Sequence, residues 1–366
     1  MAVFHTCVNS GSGLCAVHKI GYDVGMMTAG ESLGSEVFRV GPVTVSEPAF
    51  LAPMSGVTDI GMRRIARRHG AGLVISEMVA ADCYVKGEAE ALLRAEGEGV
   101  DIHVVQLAGR DPHWMGEAAR LAEANGASIV DINMGCPAKK VTGGYAGSAL
   151  MRDLDLALRL IDATVAAVQI PVTLKTRLGW DDRALNAPEL ARRAEAAGVQ
   201  MVTIHGRTRC QFYKGRADWS AIRAVRDAIK VPLVANGDCE TLDDARAMLD
   251  ASGADAVMVG RAAVGRPWLV GEIGRGLAGQ LAAPPPWGDR RDMAVEHYES
   301  LLSQFGVRAG VRHARKHLAA YIEHAGAAVY RPDDRLALLT TDDHRNAMRL
   351  LKSLLNEPLL AEAACE

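Results

Sequence analysis

The sequence predicts an α/β fold, a (β/α)8 TIM barrel followed by a small all-α helical domain, and three observations lead there. Eight short, continuous apolar runs recur between residues 50 and 259. Each is followed by a loop and an amphipathic stretch, several of them closed by glycine. Beyond Pro284-Pro285-Pro286 the strand-like runs stop and only helical periods remain. Continuous rather than alternating apolar residues suit parallel strands buried on both faces. The span also fits the roughly 250 residues typical of such a barrel. A doubly wound sheet is the alternative topology.

Taken in order, residues 1–36 show neither a helical nor a strand period and are expected to be a flexible N-terminal extension, with Met26 and Met27 as alternative starts inside it. The barrel is expected over residues 37–280. Its strands are the runs Phe50 to Pro53, Leu73 to Ser76, Val104 to Leu107, Ile129 to Ile132, Val172 to Lys175, Met201 to Ile204, Leu233 to Ala235 and Ala256 to Val259. Helix punctuation falls between them. Asp111-Pro112 opens a helix that Gly126 ends, and Asn186 with Pro188 opens one that Gly198 ends. Thr241 to Asp244 resembles a capping box, with Gly253 beyond it. The prolines of 281–287 read as a linker in extended polyproline geometry. Helical periods over 289–305, 308–324 and 341–356 make 288–366 a helical bundle, the alternative being that these helices extend the barrel's outer ring.

Composition bounds the class. With 366 residues, 49% hydrophobic and 23% charged, the chain is neither disordered nor fibrous. Lys plus Arg (41) against Asp plus Glu (44) gives a net charge of −3, which as a whole-chain average argues against a nucleic-acid partner. The 7 cysteines are scattered, with no C-x-x-C and no paired histidine spacing. That excludes a disulfide framework and a zinc ribbon, leaves no metal site expected, and fits a reducing cytoplasm. The longest uncharged stretch, residues 1–18, is broken by His5 and by polar and glycine residues, so neither a membrane span nor a signal peptide is expected.

In barrels of this kind functional groups come from the C-terminal ends of the strands. Those ends carry Met54-Ser55, Glu77, Gln106, Asn133, Lys175 with Arg177, His205 with Arg207, Asn236-Gly237-Asp238 and Gly260-Arg261. A lone polar residue in a loop is usually just solvated, but many converging on one rim define a site. The loops after the last two strands commonly bind phosphate. There Gly237 and Gly260 allow close backbone approach and Arg261 offers a charged fork, unless both glycines serve only as turns. No G-x-G-x-x-G opens a helix after a strand and no Walker motif is present, so Rossmann and P-loop readings lack support. Cys136 is the cysteine of chemical interest. The string Asn133-Met134-Gly135-Cys136-Pro137 puts it just past a buried strand and ahead of a glycine-rich segment, Gly143 to Gly147, expected to be mobile. Thiols are mostly protonated at neutral pH and donate a proton as well as attack. A buried structural cysteine is the alternative.

Five strings taken together, Ala52 to Asp59 (APMSGVTD), Asp131 to Lys140 (DINMGCPAKK), Thr203 to Arg209 (TIHGRTR), Ala235 to Asp238 (ANGD) and Gly260 to Ala263 (GRAA), resemble the tRNA-dihydrouridine synthases, and most closely their B-type bacterial branch. The resemblance covers about 38–325 and includes Ala314-Arg315-Lys316-His317. It implies a barrel carrying FMN, reduced by NADPH, with a C-terminal helical domain that grips tRNA. By motif match, Pro53, Met54, Ser55, Gln106, Lys175, His205, Asn236, Gly237, Asp238, Gly260 and Arg261 would hold FMN. Cys136 would be the general acid in the reduction of uridine to 5,6-dihydrouridine. The chemistry is consistent: a lysine ammonium neutralises charge on a reduced flavin, and a thiol protonates carbon 5 after hydride reaches carbon 6.

A stacked base cannot reach a flavin, so the target uridine must be extruded, and phosphate contacts must offset that cost. Arg308, Arg312, Arg315 and Lys316 fall on one helical face with no acidic residue between them. With Asn133, Arg177 and Arg207 on the barrel rim they are the expected tRNA contacts; a merely solvated face is the alternative. Two other functions fit less well. A barrel acting on free pyrimidines, similar to dihydroorotate dehydrogenase, would need no basic helical appendage. A non-catalytic RNA-binding barrel would not be expected to carry Cys136, Lys175 and His205 together.

Overall fold

The computed structural model describes residues 38–325 and 331–356; the N-terminal extension lies outside the described residues. A short antiparallel hairpin comes first, β1 (Phe38–Val40) and β2 (Val43–Val45). The eight apolar runs then become the barrel: β3 (Ala49–Leu51), β4 (Leu73–Ile75), β6 (His103–Ala108), β7 (Ile129–Met134), β8 (Val172–Arg177), β9 (Val202–His205), β10 (Leu233–Asn236) and β11 (Ala256–Val259). All pair in parallel. β11 returns to β3 and β4 pairs with β6, which closes the sheet. A two-residue strand, β5 (Val79–Ala80), adds to the far end of β6. Every residue of β6, β7 and β8 is buried, which is why the runs are continuous rather than alternating.

The hairpin explains which end of the barrel is open. Val40 and Val45 belong to the interior cluster with Phe50, Leu73, Ile129 and Val234, and the Phe38 ring meets Phe50 edge-on at 5.2 Å. The N-terminal end is plugged with apolar side chains, so solvent reaches the interior from the other end. Helices cover the outside as expected. Asp111 caps Pro112–Ala124, and Thr241 with Asp244 forms a complete capping box on Leu242–Ser252, closed by left-handed Gly253. Asn186 does not cap Ala187–Ala196; its amide instead donates to the Met151 carbonyl at 2.7 Å.

Pro286 has extended geometry (φ −50°, ψ 152°) and opens the helical part. The two helices expected at 289–305 and 308–324 both lie within Trp287–His324 and part at Gly306, whose backbone is not helical (φ 73°, ψ 160°). The chain doubles back there. A Cβ added at Gly310 would sit 2.6 Å from the Leu301 carbonyl oxygen, and Phe305 stacks on His313 at 4.2 Å. The two arms are therefore antiparallel neighbours. Pro332–Thr340, a helix the periodicity misses, and His344–Leu354 complete this part. Its apolar cluster includes Ile65 and Trp268 from the barrel's helices, so the helical part shares packing with the outer ring. Among the described residues no helix is long and apolar enough to cross a membrane, and Cys83, Cys136, Cys210 and Cys239 are free thiols.

Candidate active site

The open end of the barrel is polar because alternate residues of buried strands turn inward. Asp131 and Asn133 share one face of β7, as Thr173, Lys175 and Arg177 share one face of β8, and the register sets Asn133 beside Lys175 and Asn236 beside His205. Lys175 is buried and donates to Asn236 Oδ1 at 2.9 Å; Asn236 in turn donates to the Met258 carbonyl at 2.8 Å. Burial pulls the Lys175 ammonium down to about 8, with Asp131 opposing and Arg177 adding to the effect.

A chain of hydrogen bonds runs from this floor to Cys136. Asp131, fully buried, accepts from Thr173 Oγ1 at 2.6 Å and from Gln106 Nε2 at 2.7 Å. Gln106 Oε1 accepts from Asn133 Nδ2 at 2.8 Å, and Asn133 Oδ1 accepts the main-chain N–H of Cys136 at 3.0 Å. Burial raises the Asp131 carboxyl against these donors and Lys175. The Cys136 carbonyl is held by Ser148 Oγ at 2.8 Å, while the half-exposed thiol faces the site at the start of the glycine-containing loop.

One wall is cationic. Arg177 donates to the carbonyls of Gly135 (2.8 Å), Thr208 (3.0 Å) and Phe212 (2.8 Å). Arg207 bonds Asp238 and the Gly215 carbonyl, and its guanidinium points at His205 Nε2 from 3.2 Å. That contact makes Nε2 an acceptor. Burial, then the charges of Arg177, Lys175, Arg207 and Arg261, hold His205 well below the usual imidazole range, so the ring is neutral. Asp238 also accepts from Arg261 at 3.1 Å; burial raises its carboxyl, but Arg207, the Ala217 N–H and Arg261 outweigh that and hold it low.

Together these groups surround a cavity of about 1080 Å³. Every residue expected to hold a cofactor lines it: Pro53, Met54 and Ser55 on one side, Gln106, Lys175 and His205 on the floor, and Asn236, Gly237, Asp238, Gly260 and Arg261 on the far wall. Asn133, Arg177 and Arg207, expected to meet tRNA, line it too, but as wall. Arg177 and Arg207 are nearly inaccessible and their donors are committed to carbonyls and Asp238. Arg308, Arg312, Arg315 and Lys316 lie outside the cavity, on the second arm of the helical hairpin. The stripe is not free of acids. Asp342, from the loop before the last helix, sits 2.9 Å from Arg315 and 3.7 Å from Arg312, and Arg315 also donates to the Thr340 and Thr341 carbonyls. Lys316 reaches toward Gly56, whose Cβ would lie 3.7 Å from its Nζ.

Two residues of the site carried no expected role. Asp131 opens one of the motif strings and anchors the relay, and its signal is a carboxylate inside an apolar run two residues before Asn133. Tyr213, its ring 54% exposed, lies 5.5 Å from the Arg177 guanidinium and 5.4 Å from that of Arg261; it sits in a loop with no pattern to mark it.

The donor set fits a flavin mononucleotide. An ammonium has three donors and Lys175 uses one within the protein. Arg261 remains 63% exposed beside Gly237 and Gly260, as an arriving phosphate requires. Fold and site together define the class: a (β/α)8 barrel whose strand ends surround a cavity with unpaired cationic donors.

A family model described as Dihydrouridine synthase (Dus) matches residues 50–353. The chain belongs to that family, which is one of flavin-dependent oxidoreductases. It is 56% identical over 312 residues to a probable tRNA-dihydrouridine synthase of Rhizobium leguminosarum bv. phaseoli, covering 85% of this chain and 96% of that one. It is 44% identical over 321 residues to tRNA-dihydrouridine synthase B of Xanthomonas axonopodis pv. citri, again covering 85% and 96%. Among solved structures, the 6-hydroxypseudooxynicotine amine oxidase of Pseudomonas geniculata N1 shares the fold, with a TM-score of 0.51 at 15% identity over 68% of this chain and 50% of that one.

Proposed function

We propose that the enzyme reduces uridines of tRNA to 5,6-dihydrouridine in the cytoplasm, with FMN held in the barrel cavity and NADPH as reductant. The observation that carries this reading is the cavity itself, where a buried lysine and a guanidinium with free donors face a thiol on a loop at the mouth. When bound, FMN supplies the hydride that reaches carbon 6 of the uracil ring. Lys175 neutralises negative charge at the cavity floor, and Arg261, with the backbone at Gly237 and Gly260, receives the phosphate. Neutral His205 offers hydrogen bonds without adding a further charge. Cys136 delivers the proton to carbon 5, and the Asp131–Gln106–Asn133 relay fixes the main chain from which that thiol reaches.

The substrate is read as a base extruded from RNA rather than a free pyrimidine, because the relatives are named for tRNA and the cavity mouth lies under Lys316. Arg308, Arg312 and Lys316 supply phosphate contacts on that side. Changing Cys136 to Ala tests the assignment. Flavin and tRNA should still bind while dihydrouridine formation falls by about 10²-fold or more. Unchanged turnover would remove Cys136 from the chemistry.

A further inference from the structure

Outside the cavity, one buried cluster has no part in this chemistry. Asp59 ends the first barrel loop and caps the helix Ile60–Arg68, accepting the Met62 N–H at 3.1 Å. His297, on the first arm of the helical hairpin, points Nε2 at the Asp59 carboxylate, 3.0 and 3.2 Å from its two oxygens. His317, on the second arm, brings Nε2 to 3.6 Å from the same carboxylate. The three side chains are at most 3% exposed, and one ligand atom from each lies within 4.8 Å of the others.

His317 is the informative member. Both of its ring nitrogens are buried with no hydrogen-bond partner among the described residues, an arrangement that is costly unless something fills it. At 3.6 Å its nitrogen is too far from Asp59 for a good hydrogen bond. Two atoms bound to one zinc at about 2 Å each stand roughly 3.3 Å apart at the tetrahedral angle, so this spacing suits a shared ion. His297 has the usual support of a ligand, since its Nδ1 meets the Tyr321 hydroxyl at 3.2 Å, which orients Nε2 toward Asp59.

We infer that Asp59, His297 and His317 form a structural site for a divalent transition metal, best matched by Zn²⁺ with water as fourth ligand. Two imidazoles with one carboxylate select zinc, cobalt or nickel over magnesium or calcium. The ion joins three segments distant in sequence: the loop after β3 and both arms of the hairpin. It therefore fixes the helical part on the rim of the barrel, with Lys316 held at the cavity mouth by its neighbour His317. The absence of a C-x-x-C or paired-histidine spacing hid this site, because its ligands are brought together only by the fold.

The test uses tag-free, full-length protein. Metal analysis after growth with zinc should find about one zinc per chain, and His317→Leu should lose it while retaining flavin. Stripping zinc with a chelator should lower the melting temperature of the wild type, and Zn²⁺, but not Mg²⁺, should restore it. Replacement with Co²⁺ in the wild type should give tetrahedral d–d absorption to the red of the flavin bands, a readout that stands if His317→Leu fails to fold. Metal-free protein that neither binds nor is stabilised by Zn²⁺, or zinc retained in folded His317→Leu, would overturn the site and leave a hydrogen-bonded lock.

Discussion

Replacing Lys175 with Met tests the electrostatics of the cavity floor. Taking the ammonium from water, where it titrates near 10.5, to its buried position near 8 costs roughly 3 kcal/mol, each tenfold change in proton affinity being about 1.4 kcal/mol. Methionine removes that cost but leaves Asn236 Oδ1 without its donor, which costs about 1–3 kcal/mol. At pH 7 the flavin-free variant should therefore be as stable as wild type, or more stable by up to about 2 kcal/mol. The pH dependence gives the sign. Between about 8 and 10.5 the unfolded chain holds a proton at Lys175 that the folded protein has lost, so wild-type stability gains with rising pH across that window. Below it both states are protonated and the full cost remains. Urea unfolding of the flavin-free proteins across this range measures the difference between wild type and variant, which should move by about 3 kcal/mol in favour of wild type. Parallel curves would refute the reading of Lys175 as a charged group held at a cost. With FMN bound at pH 7 the wild type should be the more stable, because the variant has lost the charge that meets the cofactor.

Arg207→Met should unfold the protein at lower urea, by about 1–3 kcal/mol, because it frees the Gly215 carbonyl and takes one of Asp238's partners; a loss of tRNA affinity with unchanged stability would return Arg207 to the substrate surface. Gly306→Ala should cost about 1–3 kcal/mol in the same assay, since its backbone lies in a region open essentially to glycine alone while space for a methyl exists. The cationic stripe should divide: Arg312→Ala should lower the salt dependence of tRNA binding by about one ion, whereas Arg315→Ala should act mainly on stability by freeing the Thr340 and Thr341 carbonyls. Filter binding against salt, paired with melting curves, separates the two.

What could be read in the sequence was whatever depends on local pattern. Eight buried parallel strands write themselves as apolar runs, and all eight fell where the runs do. Capping boxes and terminal glycines are likewise local, so the helix Leu242–Ser252 was legible to its ends. The hairpin β1–β2 was not, because each of its strands buries a single residue and forms no apolar run, although it decides which end of the barrel opens. Pro332–Thr340 was missed because only Leu338 is buried, too little for an amphipathic stripe. At the site, the motif residues line one cavity, but a linear string does not show which of their donors stay free. Arg177 and Arg207 look like exposed rim cations in a linear string, yet loops 208–215 fold over them and take their donors. Asp342 meets Arg315 from 27 positions away, a pairing that helical spacing cannot reveal.

The same distinction explains how a chain of net charge −3 gathers cations around His205. Four of the cations that line the cavity are grouped around His205: Lys175, Arg177, Arg207 and Arg261. Arg177 is locked to three carbonyls, and Arg207 is neutralised by Asp238, so both are fixed parts of the wall. Lys175 and Arg261 retain free donors, one at the floor and one at the exposed edge. A ligand suited to this arrangement carries negative charge at two separated points, a phosphate near the rim and a delocalised charge deeper in. The neutral state of His205 follows from the same balance, because a fifth positive charge among these four would be strongly repelled.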